Sequence, residues 1–323
     1  MKKTLVVLAL LIILVLFANI QMLFGPVAKS ETVDVFTVPQ NTQDFDTATE
    51  LFRQKFIKNR KAFQFLLNTF AKNKEPKPGG YNLSPNMNAW VVMEKITGQP
   101  DLVWVTLSYC PRKEQVGEKL AEALDWTDSQ MATWNNLYKT NQSEYFEGVY
   151  YPDTYLIPVT ETPTQVAQRM IDRFNEKFAP LSGAYIAQNI KWTTGLKIAS
   201  LIAREAAGKS DMKLISGVIW NRLNTDMRLQ IDSTMQYTLG KRNGSWWGPV
   251  DISEKRNDSP YNTYLHEGLP PTPICSPNID YLEVVINPQE TDCIYYLHDN
   301  NQQIHCAKTY KEHLVNIKIY LQN

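Results

Sequence analysis

Three consecutive helices are predicted for residues 196–237, where the sequence reads LKIASLIAREAAGKSDMKLISGVIWNRLNTDMRLQIDSTMQY. At about 100° per residue, Ile198, Leu201 and Ile202 share one face of the first helix, and Glu205 falls within that apolar stripe. A carboxylate that served only solubility would lie on the opposite face, because burial of an unpaired charge is costly. Burial also raises the pKa of a carboxylic acid, which suits a proton donor. Glu205 is therefore the main candidate for a catalytic acid.

The composition predicts a globular protein and argues against a nucleic-acid binder. The chain has 323 residues, of which 43% are hydrophobic and 20% charged, enough for one large domain or two ordinary ones. Its 33 lysines and arginines equal its 33 aspartates and glutamates. Nucleic-acid-binding proteins normally carry a clear basic excess, so we expect no nucleic-acid partner.

The N-terminus has the composition of a membrane anchor. Residues 4–24 read TLVVLALLIILVLFANIQMLF, an apolar run about as long as a bilayer is thick. A cleaved signal peptide would have a shorter apolar core and a clear cleavage site, for which residues 27–29, VAK, are only a weak match. Lys2 and Lys3 precede the run and no basic cluster follows it. We therefore predict a single-pass anchor at residues 1–30, in the cell membrane, with a cytoplasmic N-terminus and an extracytoplasmic remainder.

Four cysteines are available for disulfide bonds, which an extracytoplasmic location permits; they allow three full pairings. Residues 293–306, CIYYLHDNNQQIHC, have the pattern of a hairpin. A turn centred on Asp299 and Asn300 would bring Cys293 opposite Cys306, and we predict this pair, with free buried thiols as the alternative. No spacing of cysteines and histidines matches a zinc site, and we predict neither a metal nor a cofactor.

The remaining hydrophobic patterns predict an α+β fold with two parts. Strands are expected at residues 31–39, 77–84 and 102–109, and helices within 44–72 and at 86–97 and 112–124. Further helices are expected at 212–223, 280–286 and 308–321. A boundary between residues 127 and 135 gives a small α+β subdomain at 31–130 and a larger α+β domain at 131–323.

Polar side chains also point inward from the helix after Glu205. Leu214, Ile215 and Val218 define its buried side, and Asn221 and Arg222 project on or beside that side. Gln230 and Asp232 follow shortly afterwards, and Asp232 or Ser233 could cap the next helix. Arg222 could simply neutralise Glu205 or Asp232, since buried charges are normally paired. The pattern fits this structural interpretation as well as a functional one.

Two aromatic segments have the composition of sugar-binding surfaces. Residues 147–155, EGVYYPDTY, combine tyrosines with Glu147 and Asp153, and residues 259–264, SPYNTY, repeat the mixture. A simple turn is the alternative for the first segment. His313 lies on the inner side of the last predicted helix, where a satisfied core histidine is expected. Because no G-x-S-x-G elbow or phosphate-binding loop occurs, serine hydrolases and nucleotide enzymes are excluded.

Five motifs occur in order between residues 147 and 277: EGVYYPDTY, ASLIAREA, NRL followed by MRLQIDSTMQY, SPYNTY and GLPPTPICSP. Their order and spacing resemble those of the endolytic murein transglycosylase family, also called YceG-like. The resemblance continues weakly into AKTYKEH, and KPGGYNLS is similar to the family's LysM-like subdomain. Where family members often carry Glu-x-Glu, this chain has Ala203 and Glu205, so only Glu205 can take that role.

The resemblance implies a membrane-anchored enzyme that cuts nascent peptidoglycan strands internally, between N-acetylmuramic acid and N-acetylglucosamine. It implies a lyase reaction that leaves a 1,6-anhydro-muramyl end, with Glu205 as general acid and then general base. Penicillin-binding proteins of the synthesis machinery are the implied protein partners.

Nine further side chains are predicted to bind substrate: Glu147, Asp153, Tyr155, Asn221, Gln230, Asp232, Thr234, Tyr261 and Asn262. Two alternatives to the lyase stay open. A carboxylate of Asp153 or Asp232 about 5 Å from Glu205 would indicate a retaining muramidase. A non-catalytic glycan-binding or scaffold protein would need the same aromatic residues but no free acid.

Overall fold

The computed structural model describes residues 2–72, 74–137 and 147–322. The chain forms two compact units, each with its own core. Met1–Val105 and Thr154–Glu161 form the N-terminal unit, and Thr106–Asp153 and Thr162–Asn323 form the C-terminal unit. The fold is α+β, as predicted.

The first helix, α1 (Lys2–Phe24), contains the predicted apolar run. Its segment Thr4–Phe24 has a mean hydropathy of 2.8 over the most apolar window and is long enough to cross a membrane. Its 21 residues include no Asp, Glu, Lys or Arg, which accounts for the high hydropathy, and a helix satisfies the backbone hydrogen bonds of such an apolar segment internally.

An antiparallel pair of strands begins the sheet of the N-terminal unit. Strand β1 (Asp34–Val38) pairs with β2 (Gly79–Leu83), with Phe36 opposite Tyr81. The sheet continues in the order β1-β2-β3-β4, and its last two strands are β3 (Leu102–Thr106) and β4 (Thr154–Pro158).

Three helices pack around this sheet: α2 (Thr47–Arg53), α3 (Arg60–Phe70) and α4 (Ala89–Ile96). The helical pattern predicted over residues 44–72 is therefore two helices. The division follows from local chemistry, because Lys55 adopts a left-handed backbone (φ 62°) and Asn59 caps the next helix by accepting from the Ala62 amide.

The C-terminal unit is mostly helical. Its helices are α5 (Lys113–Leu124), α6 (Asp128–Asn136), α7 (Pro163–Phe178), α8 (Ser182–Ala187), α9 (Trp192–Glu205), α10 (Met212–Asn224), α11 (Asp232–Leu239), α12 (Ile279–Ile286) and α13 (Tyr310–Tyr320). Helix α9 lies at the centre, where it contacts α10, α11 and α12. The apolar stripe seen in the sequence explains this position, because Ile198, Leu201 and Ile202 are fully buried.

The two units differ from the predicted division at residues 130 and 131. Helix α5 belongs to the C-terminal unit, whereas β4, beyond the expected boundary, returns to the N-terminal sheet. The reason is that strand pairing in the sheet joins segments that are distant in the sequence.

A two-stranded hairpin of β5 (Tyr295–His298) and β6 (Ile304–Ala307) follows α12. The predicted disulfide between Cys293 and Cys306 is present, with Cα atoms 5.8 Å apart. The predicted turn is wrong in register: Tyr296, not Cys293, lies opposite Cys306, because the loop closes between Asp299 and Gln303. Cys293 precedes the strand and reaches Cys306 from there.

A second disulfide joins the other two cysteines. Cys110 and Cys275, 165 positions apart, are bonded, with Cα atoms 5.2 Å apart. All four cysteines are therefore paired, and the alternative of free thiols is wrong.

Candidate active site

Glu205 is the last residue of α9 and holds a partly buried carboxylate. The Ser233 hydroxyl on α11 donates to its Oε1 at 2.9 Å, and the Tyr296 hydroxyl on β5 donates to its Oε2 at 3.0 Å. Both oxygens are thus fixed by neutral donors from two other elements.

The pKa of Glu205 lies above its ordinary value. Burial is the largest cause, since it disfavours the charged form, and the negative charge of Asp232 adds to it. The hydrogen bonds from Ser233 and Tyr296 and the charge of Arg204 act in the opposite direction. Burial also raises the pKa of Tyr296 well above its ordinary value, so its hydroxyl stays a donor. Glu205 is therefore suited to giving and taking a proton.

A cavity of about 310 Å³ opens beside Glu205. Its walls are rich in tyrosine and also include two carboxylates, one arginine and one histidine. The lining residues are Glu205, Arg222, Leu229, Gln230, Asp232, Tyr264, Tyr295, Tyr296, Tyr310 and His313. Aromatic rings and polar groups of this kind can contact both the C–H faces and the hydroxyls of a sugar.

Asp232 is the other carboxylate in this cavity. Its Oδ1 accepts from the Tyr264 hydroxyl and lies 2.8 Å from the Lys255 ammonium. Its side chain is about half exposed, at 52%. Asp232 thus has a cationic partner. Among the described residues, no ion pair involves Glu205.

Arg222 lies in the cavity wall without neutralising either carboxylate. Its Nε donates to the Ile294 carbonyl at 2.6 Å, and its Nη1 donates to the Leu229 carbonyl. No ion pair joins it to Glu205 or Asp232 in the part of the chain that the structure describes, so the predicted structural pairing is wrong. Its charge instead fixes two backbone segments that border the cavity.

Two of the nine predicted substrate-binding residues, Gln230 and Asp232, line the cavity with Glu205. Asn221 does not, because its amide donates to the carbonyls of Thr291 (2.7 Å) and Cys293 (3.0 Å) beside a separate cavity. Asn221 was predicted to line the cleft, but it lies outside the cavity that holds Glu205.

Glu147 is buried in a polar cluster outside the cavity. Its carboxylate accepts from the Tyr237 hydroxyl at 2.9 Å and from the Lys113 amide at 3.1 Å. Burial, followed by repulsion from Glu114, raises its pKa to about 8. With 4% of its surface exposed, Glu147 cannot serve as the predicted surface contact for sugar.

The other two residues of that aromatic segment are also elsewhere. Asp153 forms an ion pair with Arg173 at 2.7 Å. Tyr155 is buried in β4 of the N-terminal unit. These contacts, rather than a cleft wall, account for the mixture of tyrosines and carboxylates in the segment.

The remaining three predicted residues support the loops around the cavity. Thr234 is fully buried and bonds the Ile231 carbonyl at 2.7 Å and the Thr263 hydroxyl at 3.0 Å. The Asn262 amide, also fully buried, donates to two carbonyls of its own loop. Tyr261 bonds the Thr272 hydroxyl at 2.8 Å. Their polar atoms are used inside the protein.

The segment after Glu205 is held by a second contact from the hairpin. Asp211 accepts from the amides of Ala207 (2.9 Å) and Gly208 (3.2 Å), and His298 lies 2.7 Å from its Oδ2. His298 and Tyr296 are two positions apart on β5, so both project to the same side. The hairpin therefore contacts the end of α9 at two points.

The sequence model of the YceG-like family matches residues 36–319. The chain belongs to the YceG-like family. It is 27% identical over 317 residues to a protein of Bacillus subtilis named endolytic murein transglycosylase, covering 90% of this chain and 86% of that protein. A protein of the same name from Streptococcus pneumoniae D39 is 27% identical over 327 residues; the alignment covers 90% of this chain but 59% of that longer protein.

A solved structure shares the fold of this YceG-like chain. The 2.6 Å crystal structure of a yceG-like protein from Listeria monocytogenes aligns with a TM-score of 0.58 and 25% identity. The alignment covers 88% of this chain and 99% of the Listeria chain. The similarity therefore extends over both units.

Several residues that contact Glu205 or line the cavity of this YceG-like chain were not predicted from its sequence. Ser233 was expected as a helix cap, but Ile231 is the N-cap of α11, which leaves the Ser233 hydroxyl for Glu205. The sequence did carry one signal for the hairpin contacts: Tyr296 and His298 are two positions apart, which places both side chains on the same side of a strand. Tyr295 and Tyr310, which were not predicted, also line the cavity, as does Tyr264, the last residue of the predicted segment SPYNTY.

His313 was expected in the core of this YceG-like chain and instead lines the cavity. Its ring stacks on Tyr295 with centroids 5.3 Å apart. Burial, with the nearby charge of Arg222, lowers its pKa, which favours the neutral ring. The described residues contain no group of three or more His, Cys, Asp or Glu side chains that could hold a metal ion.

Proposed function

We propose that this chain is a membrane-anchored lytic transglycosylase that cuts nascent peptidoglycan strands internally, with Glu205 as general acid and base. The observation that carries the proposal is a partly buried Glu205 with a raised pKa, held by two hydroxyls at the side of a tyrosine-lined cavity. The names of the Bacillus and pneumococcal relatives support the same activity.

In the first step, neutral Glu205 protonates the glycosidic oxygen between N-acetylmuramic acid and N-acetylglucosamine. The bond from C1 of the muramyl residue to this oxygen breaks, and the N-acetylglucosamine end leaves with a new hydroxyl. In the second step, the Glu205 carboxylate takes the proton of the muramyl C6 hydroxyl, whose oxygen bonds to C1. The product is a 1,6-anhydro ring, and Glu205 regains its starting protonation state.

The residues around Glu205 have separate roles in this proposal. Tyr296 and Ser233 hold the carboxylate in one orientation and stabilise its charged form between the two steps. Gln230 and the exposed edges of Tyr264 and Tyr295 contact the sugar rings. A water molecule as nucleophile is not required, because the substrate supplies its own hydroxyl.

A retaining muramidase is the second candidate, since Asp232 lines the same cavity. Its oxygen is already engaged by Lys255 and Tyr264, which favours a positioning role over attack on C1. The rates of strand cleavage by Glu205→Gln and Asp232→Asn test the choice. We expect the first variant to lose at least about 100-fold and the second to lose roughly 10-fold. Equal, severe losses would favour the muramidase, and full activity of Glu205→Gln would exclude both.

The proposal places the N-terminus in the cytoplasm and the rest of the chain outside the membrane. Lys2 and Lys3, which precede the apolar run Thr4–Phe24, support this orientation. The pairing of all four cysteines supports an oxidising compartment. Association with penicillin-binding proteins stays a prediction, and co-purification from solubilised membranes tests it.

A further inference from the structure

Three large aromatic side chains are exposed on one face of the N-terminal unit. Phe65 and Phe70 on α3 expose 59% and 56% of their surface, and Trp90 on α4 exposes 42%. The rings of Phe70 and Trp90 are in contact, with centroids 4.9 Å apart. We call Phe65, Phe70 and Trp90 the aromatic patch.

The aromatic patch adjoins the end of the apolar helix α1. All three residues line one cavity of about 480 Å³ together with Ile20 and Phe24 of that helix. Helix α1 also contacts α3 directly. The patch is therefore continuous with the last turn of the apolar run.

Polar contacts join the end of α1 and the segment just after it to the rest of the N-terminal unit. The Lys58 ammonium donates to the Gln21 carbonyl at 3.3 Å. The Ala28 amide donates to the Pro85 carbonyl, and the Ser84 hydroxyl donates to the Ser30 carbonyl, both at 3.0 Å. The chain thus leaves α1 along the surface of the unit, without a long linker between them.

This geometry identifies the environment of the patch, given the membrane anchoring proposed above. The Thr4–Phe24 segment matches the thickness of the hydrocarbon core, so Ile20 and Phe24 lie near its boundary. A surface continuous with these residues reaches the same depth. Tryptophan is stabilised at this boundary, where its ring contacts acyl chains and its N–H stays hydrated, and phenylalanine rings insert among the adjacent acyl chains.

We infer that the aromatic patch is a lipid-binding surface, with which the N-terminal unit rests on the outer leaflet of the membrane that α1 spans. Phospholipid acyl chains next to the headgroups cover the three rings. The Lys58 ammonium, which donates to the Gln21 carbonyl near the end of α1, lies close to this boundary, where it attracts the lipid phosphates and supports the same contact. The anchor and the patch together hold the unit against the bilayer.

Photolabelling of the full-length chain tests the inference. The chain is reconstituted into nanodiscs of phosphatidylethanolamine and phosphatidylglycerol that contain a trace of phospholipid with a diazirine near the headgroup end of one acyl chain. After irradiation, mass spectrometry compares the labelling of residues 60–91 with that of α1. Segments around Ile186 and Ile252, which expose 79% and 82% of their surfaces, are the internal controls.

We expect strong labelling of α1 and several-fold more labelling of residues 60–91 than of the two control segments. Replacement of both phenylalanines, Phe65→Ser and Phe70→Ser, should lower labelling of 60–91 and leave that of α1 unchanged. Because both rings are exposed, the variant should unfold at the wild-type temperature. If α1 were labelled and residues 60–91 were labelled only as much as the controls, the inference would be overturned and the membrane anchor would stand. This outcome includes the case in which the patch binds another protein instead of lipid. Unlabelled α1 would overturn the anchor and the inference together.

Discussion

The protonation of Glu205 depends on two opposing influences at the level of single side chains. Burial and the charge of Asp232 favour the neutral acid, whereas the Ser233 and Tyr296 hydroxyls favour the carboxylate. A single group that first donates and then accepts a proton needs this balance. A carboxylic acid that is too weak does not release its proton, and one that is too strong is already ionised before the first step.

Loss of the Tyr296 hydroxyl should shift this balance. In Tyr296→Phe the carboxylate loses one donor, so the pKa of Glu205 rises further. We expect roughly 10-fold lower kcat, about 1.4 kcal/mol, and a basic limb of the kcat–pH profile displaced to higher pH. Tyr295→Phe is the matched control, since its ring lines the same cavity and stacks on His313. A basic limb unchanged in Tyr296→Phe would contradict the proposed contact.

Glu147 should make stability depend on pH. Its pKa rises from 4.5 to about 8 on folding. The folded state therefore retains a proton that the unfolded state has lost, so this contribution to stability is fully present below pH 4.5 and is lost as pH rises through about 8. We expect the Tm of the wild type to fall more between about pH 5 and about pH 8 than that of Glu147→Gln.

A matched control for this prediction is Glu267→Gln, which removes an exposed carboxylate from the same unit. Its Tm should follow the wild-type pH dependence. If Glu147→Gln and the wild type lost the same Tm over this interval, Glu147 would not be buried as a neutral acid.

The hairpin of β5 and β6 is the element that connects stability to the site. Tyr296 contacts the Glu205 carboxylate, and His298 contacts Asp211, which binds the backbone just after α9. The disulfide between Cys293 and Cys306 closes this hairpin. An intact hairpin is therefore expected to be necessary for the orientation of Glu205.

Removal of this disulfide should affect both stability and the pH profile. In the chain-entropy model, a loop with a 13-residue separation contributes about 3 kcal/mol. We expect Cys293→Ser with Cys306→Ser to lower Tm and to move the basic limb of kcat upward, as Tyr296→Phe does. Cys110→Ser with Cys275→Ser is the control, because it should lower Tm at least as much without moving the limb. If the variant with Cys293→Ser and Cys306→Ser kept the wild-type kcat–pH profile, the hairpin would not be necessary for the orientation of Glu205.

Elements with a strong local pattern were predictable from the sequence, and contacts between them were not. The apolar stripe of α9 predicted its burial and the position of Glu205 within it. The register of the hairpin was wrong because it depends on the loop closure between Asp299 and Gln303, which alternation alone does not define.

At the scale of the whole molecule, the site depends on residues far apart in the chain. Ser233 and Tyr296 lie 28 and 91 positions after Glu205. The tyrosine-rich segment with Glu147 has the composition of a sugar-binding surface, yet it is used inside the fold. Composition alone cannot distinguish these two uses, because aromatic and carboxylate groups stabilise a buried polar cluster as well as a sugar.

Mass spectrometry of the fragments that the full-length chain releases from isolated peptidoglycan sacculi tests the proposed chemistry most directly. We expect fragments that end in 1,6-anhydro-N-acetylmuramic acid, with release from within long strands. The Glu205→Gln variant, matched in amount and folded state, should release almost none. Fragments with reducing muramyl ends, or undiminished anhydro products from Glu205→Gln, would contradict the proposal.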